Sequence, residues 1–299
     1  MRKFAYSLIF LLLFCACRTA PPPGEPPRFE LVFDRIEAGS IHQIVLFFSL
    51  KTENPRLEPL GFSIKGQKIT INGFGADPET AKLYIVETEN PEILADPQKA
   101  SMEVEGEGEA EIILALHLEL ESAADILRPI KAADEDNYRV ELKLDMAYQY
   151  GASKPQGSEI STEAVFPRIS EPEFTITAIA ILQAELINTR FRVSLQIDNR
   201  NAFPVTLSSF KYELYGDGMF WADGQERNVL HIPAKGSAKT NLFLLMNFIN
   251  MKRHLLDEII AMRLVNYRFA GNAEVDIEVP WLPHFGMKFD RSGLSEVFQ

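Results

Sequence analysis

The sequence predicts a mainly β protein made of two tandem antiparallel β-sandwiches, each carrying one short α-helix. Three observations lead there. Apolar residues alternate with polar ones through most of the body, the pattern of strands with one buried face. Shifted by 145 residues, the chain matches itself: Phe29 falls on Phe174, Ile36 on Ile181, Leu50 on Leu195, Asn54 on Asn199 and Pro59 on Pro204. Such self-similarity signals a repeated unit. Both cysteines, Cys15 and Cys17, lie in the first seventeen residues, leaving the body none for disulfides or thiolate metal sites. The body must therefore be stable through its cores, as domains of about 100–150 residues can be.

Residues 1–16 predict a secretory signal. Arg2 and Lys3 precede an apolar run from Phe4 to Ala16 interrupted only by Ser7. That is a basic n-region, a short h-region and a small residue at the cut. The run is shorter than the roughly 20 apolar residues a spanning helix needs. Leu13-Phe14-Cys15-Ala16-Cys17 resembles the lipobox of bacterial lipoproteins, with Phe14 where Leu is usual. The resemblance implies cleavage after Ala16 and lipidation of Cys17; bulky Phe14 at the cut disfavours Cys15. The alternative is a secreted chain with a stray thiol. Residues 17–27 then read as the lipidated cysteine and a proline-rich tether, with five prolines in residues 21–27 favouring extended polyproline II.

Residues 28–168 and 172–299 are the two predicted sandwich units. In the second, Phe191, Val193, Leu195 and Ile197 alternate with Arg192, Ser194, Gln196 and Asp198. Leu46, Phe48 and Leu50 do likewise in the first, although Val45 and Phe47 make the other face apolar too. Later strands are read at Ile112–Leu120, Val140–Met146, Leu242–Phe248 and Val275–Val279. Towards the end of each unit the offset becomes 129, placing Tyr138-Arg139 on Tyr267-Arg268. The first unit thus carries about sixteen extra residues, assigned to the stretch from Ala76 to Ala100; within it 77–97 reads as a charged, proline-punctuated loop insertion and the first candidate for a specific contact. One helix per unit is expected. Met251, Leu255, Ile259 and Met262 share a face in 250–263. A shorter helix is capped by Ser122 and limited by Arg128-Pro129. Trp281, Phe285, Met287 and Phe289 form an aromatic tail, read as packed on the second unit, with partner docking as the alternative.

The second unit carries Asp198-Asn199-Arg200-Asn201-Ala202-Phe203-Pro204-Val205 after an alternating strand. Phe210-Lys211-Tyr212-Glu213-Leu214-Tyr215-Gly216, then Ile232-Pro233-Ala234-Lys235-Gly236, and later Tyr267-Arg268 follow. These elements, in this order, resemble the late-embryogenesis-abundant group 2 domain, also called the water-stress and hypersensitive-response (WHy) domain. Arg200 stands where that family often has proline. The first unit keeps the corner in Asn54-Pro55-Arg56-Leu57-Glu58-Pro59 but has Arg56 in place of the second asparagine. The resemblance implies Ig-like or fibronectin-III-like sandwiches and an association with desiccation or other stress. The family-motif corner residues Asn54, Pro59, Asn199, Asn201 and Pro204 are expected to be structural, since Asn side chains bond local backbone and tolerate left-handed geometry.

No catalytic constellation is found: no Gly-x-Ser-x-Gly elbow, phosphate loop or His-Glu-x-x-His helix. His42, His117, His231, His254 and His284 are scattered rather than spaced as ligand pairs. Residues 106–111, Gly-Glu-Gly-Glu-Ala-Glu, lack the layout of a calcium loop. A formal charge of −12 disfavours nucleic acid, which demands a basic footprint. The expectation is a non-enzymatic envelope lipoprotein without cofactor or metal, attached to the membrane through its anchor. Recognition of another envelope protein through a strand edge or loop is the main alternative, and an enzyme with an unfamiliar acidic site the remote one.

Overall fold

A computed structural model describes residues 24–86, 94–120, 136–183, 188–247 and 264–298. Cys17, the signal segment and both expected helices, at 122–128 and 250–263, lie outside them. The elements of the described residues are all strands, so the protein is mainly β.

The first ten strands are β1 (Arg28–Ala38), β2 (Gln43–Glu53), β3 (Leu60–Ile71), β4 (Phe74–Gly75), β5 (Ala81–Val86), β6 (Leu94–Ala95), β7 (Met102–Val104), β8 (Glu109–Glu119), β9 (Asn137–Tyr150) and β10 (Gln156–Pro167). They form two facing sheets, β1-β2-β8-β5-β6 and β10-β9-β3-β4, with β7 also on β3. Between the sheets the alternating residues do what their period demands. Leu46, Phe48 and Leu50 of β2 meet Leu114 and Leu116 of β8 and Val140, Leu142 and Leu144 of β9 in one fully buried cluster. Phe47, on the outer face, is also nearly covered because the Arg35 guanidinium lies 4.0 Å over its ring.

The next eight are β11 (Glu173–Gln183), β12 (Asn188–Asp198), β13 (Val205–Gly216), β14 (Met219–Glu226), β15 (Leu230–Ile232), β16 (Ser237–Asn247), β17 (Leu264–Ile277) and β18 (His284–Phe298). The pairing order of the first half recurs. β11-β12-β16 repeats β1-β2-β8, while β18-β17-β13-β14, with β15 on β13, repeats β10-β9-β3-β4 with β7 on β3. Phe191, Val193, Leu195 and Ile197 lie beside Leu242 of the neighbouring β16 and share the second core with Phe269 and Val275 of β17. Two features differ. β18 also pairs in parallel with β11 at Val297 and Phe298, joining the second half's sheets. β5 pairs along the outer edge of β8, from Ala81 opposite Leu118 to Val86 opposite Ile113, whereas no strand among the described residues pairs with that edge of β16.

Three sequence expectations need correction. The insertion at 77–97 is not simply a charged loop, because Ala81 and Leu83 are buried in β5, which extends the first sheet. Tyr138 does not stand where Tyr267 does: Ile71 pairs with Val140 and Gly216 with Tyr267, so Val140 is the structural counterpart, two residues along. A slip of two preserves which face is buried, so alternation alone cannot detect it. The aromatic tail is the long strand β18, burying Phe285, Met287 and Phe289 in the second core, with Trp281 in the turn before it. Residues 24–27, expected within the tether, are held against the first half, since Pro27 is buried and the Arg56 guanidinium donates hydrogen bonds to the carbonyls of Gly24 and Glu25.

The halves meet end to end. Ile41, from the β1–β2 turn, belongs to the second core. Trp281 packs edge-on against Phe166 of β10 at 6.0 Å, and Lys235 reaches Asp136. The Asn54 corner lies at the far end of the first half, and the Asn199 corner lies at the junction.

Candidate functional site

Each half turns from its second to its third strand through a buried asparagine. Asn54 and Asn199 are 1% and 2% exposed. Nδ2 of Asn54 donates to the carbonyls of Glu58 at 2.8 Å, Glu105 at 2.9 Å and Val104 at 3.4 Å. Nδ2 of Asn199 donates to Phe203 at 2.8 Å, Pro233 at 3.0 Å and Ile232 at 3.4 Å. Each Oδ1 accepts the backbone N–H two residues on, from Arg56 or Asn201. Each amide therefore ties its own turn to the connection between β7 and β8, or between β15 and β16. Pro59 and Pro204 restrict the residue before them to extended geometry, which aims the Glu58 and Phe203 carbonyls at those amides.

The expected reason for asparagine needs revision. None of the three corner asparagines has a positive φ; that conformation falls on Glu107 (φ 54) and Lys235 (φ 51), at the turns that the corner grips. Glu107 N–H donates to the Arg56 carbonyl and Lys235 N–H to that of Asn201, closing both corners alike. Gly106 sits so tightly against this turn that a Cβ there would lie 2.0 Å from the Leu57 carbonyl oxygen. The acidic run 106–111 is thus a packed turn leading into β8, and no group able to hold a metal ion occurs among the described residues.

The replacement of the second asparagine by Arg56 also acquires a physical reason. Asn201 exchanges two hydrogen bonds with the backbone of Ser170, its Nδ2 donating at 2.9 Å and its Oδ1 accepting at 2.7 Å. That pins the segment entering β11. Arg56 reaches further to Gly24 and Glu25, ahead of β1, while lying 4.1 Å over the Tyr150 ring. Two side chains of different length thus do one job. The Nδ2 groups of the three corner asparagines are each occupied by carbonyl partners within the fold.

One polar cluster escaped the sequence. β17 and β18 pair Asp276 with His284 and Glu274 with Gly286, so His284 Nδ1 lies 2.6 Å from Asp276 and Nε2 lies 2.9 Å from Glu274. The hydrogen bond to Asp276 raises the imidazole above its ordinary range against a slight burial, and Glu274 adds to the rise. Glu274 and Asp276 share a strand face, but only the hairpin register brings His284 between them. All three are about half exposed. His117, by contrast, is lowered by burial and meets Tyr84 edge-on at 5.2 Å. His231 approaches Thr206 at 3.3 Å, and His254 lies outside the described residues. Tyr212 is pushed up to about 12 by burial, with Glu226 and Asp223 contributing.

The outer face of β16 is a further candidate. Phe243 and Leu245 are 71% and 57% exposed, beside Arg192 and Arg190 of β12, their register partners. The corresponding row of the first half is covered, with Ala115 1% exposed.

Comparisons with known proteins bear on the second half. No curated protein matches the chain. A crystal structure of a protein from Archaeoglobus fulgidus aligns over 42% of this chain and 95% of its own at 15% identity, with a TM-score of 0.26. A solution structure from Arabidopsis thaliana aligns over 44% and 86% at 12% identity, with a TM-score of 0.34. A Bacteroides uniformis beta-glucuronidase aligns over 83% of this chain but 26% of its own at 10% identity, with a TM-score of 0.25. At such scores these likenesses bear on neither fold nor activity. Residues 194–292 match the family model described as late embryogenesis abundant protein, which supports one LEA-type domain in the second half.

Proposed function

We propose that this protein is a non-enzymatic envelope lipoprotein, held in a membrane by lipid on Cys17, whose two WHy-like, Ig-like sandwiches serve as binding or protective modules in stress. The LEA-type match at residues 194–292 supports such a role at the level of the family. The carrying observation is the corner network. Asn54 makes the same set of backbone bonds as Asn199, so the first half reads as a divergent copy of the matched domain. Fold likeness by itself does not assign a function. A role in protein–protein recognition is the second reading, favoured by the edge of β16 with which no strand pairs among the described residues. Intact-mass measurement of the protein from bacterial membranes, beside Cys17→Ala, tests the anchor. A diacyl or triacyl increment on a chain starting at Cys17, absent from the variant, is expected. An unmodified chain starting elsewhere refutes it.

A further inference from the structure

Strand edges with unpaired backbone groups invite pairing with another chain, and proteins generally cover, shorten or charge them. The first half covers its β8 edge with β5, whose six residues pair antiparallel from Ala81 opposite Leu118 to Val86 opposite Ile113. Glu119 pairs with Gln43 as Asn247 pairs with Asn188, and Glu53 with Glu109 as Asp198 with Ser237. The stretch of β16 matching the β5-covered part of β8 is therefore Asn241–Met246. Its inward residues Leu242 and Leu244 are buried in the core, while Phe243 and Leu245 stand outward and exposed. β16 is a full-length strand of 11 residues, not shortened, and no strand among the described residues pairs with this edge.

The charges beside this edge select the occupant. Arg190 and Arg192 stand next to Leu245 and Phe243 on the same outer face, and neither makes an ion pair among the described residues. In a chain with 42 acidic and 30 basic residues, an arginine pair flanking an apolar edge is a local reversal of sign. A second copy of β16, Ser237–Asn247, carries no carboxylate to answer these arginines, so self-pairing would leave them unmatched. Strands lie about 4.8 Å apart, so an added strand would sit two places from β12, within reach of extended arginine side chains.

We propose that the Asn241–Met246 edge of β16 accepts an extended segment of a partner protein by strand addition. The segment has an apolar residue in line with Phe243 and a carboxylate in line with Leu245, on its outer face towards Arg190 and Arg192. β5 supplies the same addition internally in the first half. This deepens the recognition reading of the modules by naming its surface and partner class.

The test uses the purified full chain and two synthetic peptides, residues 79–86 as they stand and the same peptide with Lys82→Glu. Binding is followed by fluorescence anisotropy, and its place by hydrogen exchange. The acidic peptide should bind at least fivefold tighter than the unmodified one and slow exchange within 241–246. Phe243→Lys or Leu245→Lys should each weaken it at least tenfold with circular dichroism unchanged, and Arg190→Glu, whose arginine is in line with position 82 of the peptide, should abolish the preference for the acidic peptide. Absence of binding overturns the proposal, as does protection elsewhere or affinity indifferent to these substitutions. Concentration-dependent dimerisation lost in Phe243→Lys would assign the edge to a second copy and overturn it too. The assay does not depend on the anchor, so its failure is distinct from failure of the mass measurement at Cys17.

Discussion

Truncating Asn199 to alanine should cost the second half much of its stability. The change removes donors from the Phe203 and Pro233 carbonyls, at 2.8 and 3.0 Å, and the acceptor from the Asn201 N–H, at 2.9 Å. With Asn199 2% exposed, water does not readily replace them, and each buried group left unpaired costs about 1–3 kcal/mol. Because such losses are not additive, the expected total is about 3–5 kcal/mol, a large share of the roughly 5–15 kcal/mol that holds a domain. Asn199→Asp should be worse, since it sets an oxygen against three carbonyl oxygens and buries a charge. Urea unfolding distinguishes the halves, because Trp221 is stacked on Phe191 in the second core and Trp281 lies at the junction. The sequence has no other tryptophan. With a urea slope of about 2 kcal/mol/M, the tryptophan transition should fall by about 2 M in Asn199→Ala. In Asn54→Ala the early change should appear in far-ultraviolet circular dichroism instead. A fluorescence shift below about 0.5 M in Asn199→Ala would refute the account of the corner as a buried cross-link.

Four further outcomes are expected. Gly271→Ala should destabilise the second half by several kcal/mol, on the order of other overpacking changes, because its Cβ would lie 2.0 Å from the Lys211 carbonyl oxygen and 2.8 Å from the Phe289 ring; thermal melting checks this. His284 has a raised folded-state pKa, so its stabilisation is complete below about pH 6.5 and fades as pH rises through the raised value. Since the side chain is half exposed, the effect should stay under about 1 kcal/mol; His284→Gln should remove that slope from denaturation midpoints measured across pH 5–9. Arg56→Ala should speed hydrogen exchange and proteolysis at residues 24–27 while leaving the second half's unfolding unchanged. Trp281→Ala should loosen the junction, seen as faster proteolysis around residues 167–172, with little change in either isolated core signal.

Much of the fold was legible because a strand with one buried face writes its period into the chain. Phe191, Val193, Leu195 and Ile197 are all nearly inaccessible, as their alternation predicts. The corner was legible as a place where asparagine and proline recur, but not in its mechanism. The partners of Asn54 at Val104 and Glu105 are about fifty residues away, and no local pattern names them. β5 was read as loop because prolines and charges surround it, although Leu83 and Ile85 alternate with Lys82 and Tyr84. The His284 cluster depends on hairpin register, which single-strand spacing does not reveal. The Tyr138 offset failed for a related reason, since identity of two residues outweighed a register that only pairing defines.

The double role of β18 has a consequence for the order of events at synthesis. Along most of its length it zips against β17, yet Val297 and Phe298 also lie beside Ile179 and Ala180 of β11. The strand that begins the second half therefore waits for a neighbour more than a hundred residues downstream. The first half needs nothing beyond Pro167 to complete its own pairings. Non-local closures of this kind are slow because loop entropy is spent before the contact forms. Ribosomal emergence should consequently yield a settled first half alongside a second half still open at its seam. During that interval β11 is the strand most exposed to wrong pairing.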